Sequence, residues 1–159
     1  MKVIVVTGTP GTGKTTVAKK IAQKKGYLYV DVNAIIRKYR LSSGYDLKRK
    51  TKIIDVKKLN AALVKEIRLH NKERGMVIDS HLSHYLPRKL VDVCVVTKCA
   101  LPVLQRRLKK RHYSSSKIRE NLDSEIFGIC LNEAKEKGHR VNVVDTTKGI
   151  KRASLSPFF

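Results

Sequence analysis

Apolar residues fall along this chain in two rhythms. Short unbroken runs occupy Val3–Val6, closed by Thr7, then Tyr27–Val30, Met76–Ile78 leading into Asp79, Val91–Thr97 and Val141–Val144. A run that is apolar on every residue suits a strand covered on both faces. Between the runs, apolar positions recur every three or four residues. Val17, Ala18, Ile21 and Ala22 do so within Lys14–Lys25, which Gly26 ends. Val56, Leu59, Leu63 and Ile67 predict a long helix. Leu101, Leu104 and Leu108 predict another, with Pro102 tolerated in its first turn, and Ile118, Leu122, Ile126 and Ile129 predict the next. Val32–Tyr39 fits a short helix. Leu41–Ile54 is polar, with Ser42, Ser43, Gly44 and a basic cluster at Lys48, Arg49, Lys50 and Lys52, and reads as a mobile connector. Strands alternating with helices predict an α/β fold in which helices cover both faces of a five-stranded parallel sheet. At 159 residues the chain is expected to form a single domain over 1–159, with a tail from Lys148 to Phe159.

The first strand runs into Gly8-Thr-Pro-Gly-Thr-Gly13-Lys14-Thr15-Thr16, and a helix follows. This is the P-loop pattern in the context that gives it meaning. Gly8, Gly11 and Gly13 let successive N–H groups turn inward toward phosphate oxygens. The helix starting near Lys14 adds the positive end of its dipole. Lys14 is placed to reach the β- and γ-phosphates, Thr15 to ligate Mg²⁺, and Thr16 to bond the α-phosphate. A nucleoside triphosphate with Mg²⁺ is the expected ligand.

Charge changes the picture. Lys and Arg number 35 against 13 Asp and Glu, a net +22. Such a surface attracts polyanions such as RNA, ribosomal particles and nucleotides. The alternative is the lysine-rich solvated surface of heat-adapted proteins, which usually balances Lys with Glu. Aromatic residues are 6% of the chain, too few for a dedicated single-strand RNA platform. No apolar run is long enough to span a membrane. Met1 and Lys2 lead directly into a strand, with no signal peptide. Cys94, Cys99 and Cys130 are scattered and read as reduced core thiols of a cytoplasmic protein.

A P-loop alone does not say what receives the phosphate. Asp79 closes the third strand, at the carboxyl edge where open α/β sheets bind ligands. A carboxylate there can hold the magnesium shell or take a proton from the attacking group. His81 should face the same crevice. The plain alternatives are a turn residue and an idle loop histidine. Arg107 and Arg111, four residues apart, share one face of a helix end, with Arg119 beyond a serine-rich hinge. A short basic lid of this kind would neutralise the moving phosphoryl group and exclude water, whereas a solvated basic face is the simpler reading. Arg37, on the short helix after the second strand, could grip an acceptor phosphate with two donors.

These segments together, "GTPGTGKTT", "YVDVNAIIRK", "GYD", "VIDSH" and "VLQRRLKKRHYSSSKIRENLDSEIF", resemble the adenylate kinase isoenzyme 6 family over about residues 1–136. Its more specific marks are Asp79-x-His81 and Arg111-x-Tyr113 followed by Asn121 and Glu125-Ile-Phe. The resemblance implies a P-loop nucleoside monophosphate kinase-like three-layer fold, with an acceptor-binding region near 31–54 and a lid near 110–120. It implies adenylate kinase activity on ATP and AMP, and ATP hydrolysis. It also implies a partner among the small-subunit ribosomal proteins of the platform, contact with pre-ribosomal RNA, and a role in rRNA maturation. The nucleotide loop maps to Gly11, Gly13, Lys14, Thr15 and Thr16, the acceptor arginine to Arg37, the catalytic pair to Asp79 and His81, and the lid arginine to Arg111. Lys148 corresponds to the lysine of the adenine loop. The sequence departs from the family at Asp31-Val-Asn-Ala34, which lacks one carboxylate, at Leu47-Lys-Arg-Lys50, which inverts an acidic stretch, and in its short tail. Three functions remain open: an AMP kinase, an ATP-driven ribosome assembly switch, and a P-loop kinase of another small acceptor.

Overall fold

A computed structural model describes residues 1–150 and Leu155. The chain folds in the order β1 (Lys2–Thr7), α1 (Lys14–Lys25), β2 (Leu28–Asp31), α2 (Val32–Lys38), β3 (Ser42–Asp46), β4 (Thr51–Ile54), α3 (Val56–Leu69), β5 (Gly75–Asp79), β6 (Val93–Lys98), α4 (Leu101–Lys110), α5 (Ser115–Ile126), α6 (Ile129–Glu136) and β7 (Val141–Asp145). Five strands build one parallel sheet in the order β2-β5-β1-β6-β7. β1 is central and buries Val3–Thr7 completely, the environment an unbroken apolar run requires.

Side-chain alternation along the strands sorts the core into two layers. Val3, Val5, Met76, Ile78, Cys94 and Val96 pack with Ile35 of α2, Leu59 and Leu63 of α3 and Ala134 of α6. Ile4, Val6, Val77 and Val95 face the other way, onto Val17, Ala18 and Ile21 of α1, with Leu155 against them. A small separate core joins α4 to α5 through Leu104, Leu108 and Ile118. The three cysteines are free, Cys94 and Cys99 buried and Cys130 half-buried.

Two expectations are corrected. Leu41–Ile54 is not an irregular connector: Ser42–Asp46 and Thr51–Ile54 pair as an antiparallel hairpin. Its turn is closed by the Asp46 carboxylate, which accepts from the Arg49 N–H at 3.0 Å. The hairpin lies outside the main sheet and is mostly exposed, so it lacks the apolar alternation that marks a half-buried strand. The stripe from Ile118 to Ile129 is not one helix. It breaks at Phe127 and Gly128, where Gly128 adopts φ 59°, and Ile126 and Ile129 are exposed. Glu125 turns inward instead and accepts from the Cys99 N–H at 3.0 Å. Of the tail, Leu155 is buried, and the remainder beyond Ile150 lies outside the described residues.

Candidate active site

In a parallel sheet all strands end on one edge, and here the central β1 has neighbours reached by connections leaving on opposite sides. That switch point opens a crevice at the carboxyl ends of the strands. The P-loop fills it. Gly8, Gly11 and Gly13 all take positive φ, at 144°, 90° and 85°, and Gly13 caps α1. At Gly8 a side chain is also excluded by space, because a Cβ would sit 2.7 Å from the Thr97 carbonyl oxygen.

The loop is pinned by threonines. Thr12 Oγ1 donates to Thr9 O at 2.6 Å and meets Thr97 Oγ1 at 2.7 Å, while Thr146 Oγ1 donates to Thr12 O at 2.7 Å. Arg107 joins them, its guanidinium donating to Thr146 O at 2.7 Å and to Gly11 O at 3.3 Å. This arginine buttresses the loop and is not free to act as a lid. Arg119 is also engaged, with Asp123 one turn along α5 at 3.2 Å.

Lys14 Nζ donates to Thr9 O at 3.1 Å. Burial lowers its pKa to about 8, against the pull of the Asp79 carboxylate, and Arg111 adds to the lowering. Thr15 and Thr16 are exposed at the start of α1. Asp79 is buried at the end of β5, and its Oδ2 accepts two hydrogen bonds, from Thr15 Oγ1 at 2.6 Å and from Tyr29 OH at 2.9 Å. Because the Thr15 hydroxyl donates its hydrogen to the Asp79 carboxylate, the Thr15 lone pairs are left for a metal. Hard oxygen donors of this kind fit Mg²⁺, which needs only one or two protein oxygens when phosphates supply others. Thr15 and Asp79 are therefore the residues that would hold it. Among the described residues no cluster of three His, Cys, Asp or Glu forms another metal site.

His81 reaches the same crevice. Although its edge is open to solvent, its enclosure by the crevice walls and the nearby Lys14 charge lower its pKa to about 4, so the imidazole is neutral at physiological pH. Its backbone is tied to the end of β1, Thr7 Oγ1 lying 3.3 Å from His81 O. Thr7 is held in turn by the fully buried His84, whose Nδ1 lies 2.8 Å from Thr7 Oγ1 and whose Nε2 lies 2.8 Å from Glu133 of α6.

A cleft of about 430 Å³ opens beside the loop, lined by Gly11, Gly13, Thr16, Lys20, Arg111 and Thr146 among others. Arg111 caps α4, its backbone N–H donating to Leu108 O at 3.1 Å, while its guanidinium forms no hydrogen bond or ion pair among the described residues. Lys148 is exposed on the turn that contributes Gly149 and Ile150 to the cleft wall. Arg37 is exposed on α2, its guanidinium without a hydrogen bond or ion pair among the described residues, and is not among the residues that line the cleft. The hairpin meets α5, with Arg49 Nε 3.5 Å from Glu120.

The structure thus gathers Gly11, Gly13, Lys14, Thr15, Thr16, Asp79, His81 and Arg111 around one crevice. Sequence reasoning missed Tyr29, Thr97, Thr146 and the His84–Glu133 pair. Tyr29 reads as one more apolar position of a strand, and the threonines lie at strand ends with no motif of their own. Only their common position at the carboxyl edge of the sheet could have marked them.

The AAA domain family matches residues 4–128 of the chain. The chain is 38% identical over 133 residues to the adenylate kinase isoenzyme 6 homolog of Caenorhabditis elegans, covering 84% of this chain and 72% of that protein. It is 36% identical over 144 residues to a putative adenylate kinase of Methanocaldococcus jannaschii, covering 91% and 76%. Among solved structures, deoxyadenosine kinase from M. mycoides with bound dATP aligns with a TM-score of 0.60 over 99% of this chain and 96% of that one, at 16% identity, a likeness of fold.

Proposed function

The chain belongs to the adenylate kinase isoenzyme 6 family, and on that premise we propose that it transfers the γ-phosphoryl group of ATP to AMP, giving two ADP. The observation that carries this reading is the convergence of Lys14, the Thr15–Asp79 pair and Arg111, whose guanidinium has no hydrogen bond or ion pair among the described residues, on one crevice beside a nucleotide-sized cleft. Phosphoryl transfer requires positioning and cancellation of charge more than covalent chemistry.

In this reading the P-loop N–H groups and Lys14 hold the β- and γ-phosphates, and Gly11, Gly13 and Thr16 face the α-phosphate and nucleoside. Mg²⁺, when bound at Thr15 and Asp79, supplies Lewis-acid stabilisation of the phosphate oxygens. Arg111 closes over the transferring group. Arg37 binds the acceptor phosphate, within an acceptor-binding region over 31–54, while 110–120 act as the lid of a single P-loop domain. Lys148 lines the adenine edge. An AMP phosphate oxygen attacks the γ-phosphorus as the bond to the bridging β–γ oxygen breaks. The attacking oxygen is already an anion, so no protein base is needed. Hydrolysis differs, because a water must be oriented and lose a proton. Neutral His81 is able to accept that water's hydrogen bond, which supports ATPase activity at the same site.

A second role fits beside the first. The net charge of +22 and the basic hairpin, with Lys48, Arg49, Lys50 and Lys52, support pre-ribosomal RNA and a small-subunit ribosomal protein of the platform as cytoplasmic partners, with ATP turnover switching the grip. No helix among the described residues is long and apolar enough to cross a membrane.

The test is ADP formation from ATP and Mg²⁺ with and without AMP, beside a Lys14→Ala control. Strong acceleration by AMP, with label moving from ATP to AMP, is expected. Slow hydrolysis indifferent to AMP, lost in the control, would leave the switch as the function.

A further inference from the structure

Tyr29 has no place in the P-loop motif, yet its hydroxyl lies 2.9 Å from the carboxylate oxygen that also accepts from Thr15. The register explains the reach. β2 and β5 are parallel neighbours, Tyr29 opposite Val77 and Asp31 opposite Asp79. Val77 and Asp79 are two residues apart and share the face of the sheet that α1 covers. A side chain at position 29 therefore points to that face and can cross diagonally to Asp79. A phenol has the length to do so, and Lys19 of α1 stands over its ring at 5.5 Å to the centroid.

We propose that Tyr29 is a positioning residue for the magnesium site: its O–H orients Asp79 so that Oδ2 is saturated by two donors and Oδ1 faces the metal shell. The consequence is a fixed carboxylate. With Thr15 alone, Asp79 could rotate about its terminal torsion and exchange its oxygens. Two donors on one oxygen, from β2 and α1, remove that freedom before nucleotide arrives, and preorganised charge is worth more than charge that must be rearranged. The arrangement also ties the metal side of the site to the strand that leads directly into α2 and Arg37.

The inference rests on the Mg–ATP part of the proposed function and does not depend on the acceptor. Its test is ATP affinity by calorimetry, with Mg²⁺ and with EDTA, for wild type, Tyr29→Phe, Asp79→Asn and the double variant. Tyr29→Phe keeps the ring, its packing and the Lys19 contact. Its affinity for ATP with Mg²⁺ should fall about tenfold, the worth of one hydrogen bond to a charged group, while metal-free affinity stays within about twofold. In the Asp79→Asn background the same change should cost nothing further. Equal weakening with and without Mg²⁺ would mark a packing role and overturn the inference. So would an undiminished loss in the Asp79→Asn background, no loss at all, or a wild type whose affinity ignores Mg²⁺. Phosphorylation of AMP, assayed on the same wild-type preparation, judges the parent reading separately.

Discussion

Lys14 is the residue whose chemistry is most changed by its surroundings. Free in water a lysine stays charged to high pH, but here burial brings its pKa down to about 8. Phosphates arriving beside it favour the charged form and raise it again. Between pH 8 and the unperturbed value, ATP binding must therefore take up a proton, and ATP affinity should decline as pH rises through about 8. Calorimetry in buffers of different ionisation enthalpy would read that proton directly. His81 shows the opposite use of a lowered pKa. Its neutral ring is an acceptor for water, and AMP has no need of one. His81→Ala should reduce ATP hydrolysis by at least about tenfold while AMP-dependent ADP formation changes by no more than about twofold. The P-loop is legible residue by residue because its geometry depends on local conformation. Tyr29 was not legible, since its role depends on the register of β2 against β5.

Elements add contacts that no single segment contains. Glu66 sits on the buried face of α3 at 4% exposure, in line with Leu59 and Leu63, where a carboxylate would ordinarily be costly. It is satisfied by α2: Lys38 Nζ and Tyr39 OH each donate to Oε1 at 2.6 Å. Burial pushes its pKa up, but the bonds from Lys38 and Tyr39 outweigh burial and hold it below the usual 4.5. A carboxylate lowered on folding contributes stability above its unfolded pKa and loses it as pH falls through the folded one. Denaturant melts should show that loss below about pH 4.5, and Glu66→Gln should flatten it while lowering stability at neutral pH by about 1–3 kcal/mol. The helical period located α3 correctly but assigned its interior to apolar residues alone. The same limit produced the single helix from Ile118 to Ile129, because periodicity cannot see Glu125 bonded to Cys99 N.

At the scale of the molecule, charge dominates. With 35 basic and 13 acidic residues, the folded chain repels itself, and salt screens that repulsion. Added salt should raise the thermal midpoint of the free protein. RNA binding should respond in the opposite sense, its log affinity falling linearly with log salt, with a slope that counts phosphate contacts. Replacing Lys48, Arg49, Lys50 and Lys52 with serine should flatten that slope if the hairpin is a contact face. Filter binding across a salt series measures it.

The chain by itself determined the five-stranded parallel sheet, the P-loop and its ligand chemistry, and the place of Asp79 at a strand end. These follow from local rules: unbroken apolar runs need two covered faces, glycine alone accepts the loop's dihedrals easily, and a strand's last residue lies at the edge. Tertiary structure decided which arginine stays free. Arg107 and Arg111 are equivalent on a helical wheel, yet Arg107 is held by Thr146 and Gly11 while the Arg111 guanidinium faces the cleft with no hydrogen bond or ion pair among the described residues. It also decided that the polar stretch after α2 is a hairpin and that Tyr29 meets Asp79. Each of these depends on contacts between residues distant in sequence, whose energy exists only after the chain has brought them together.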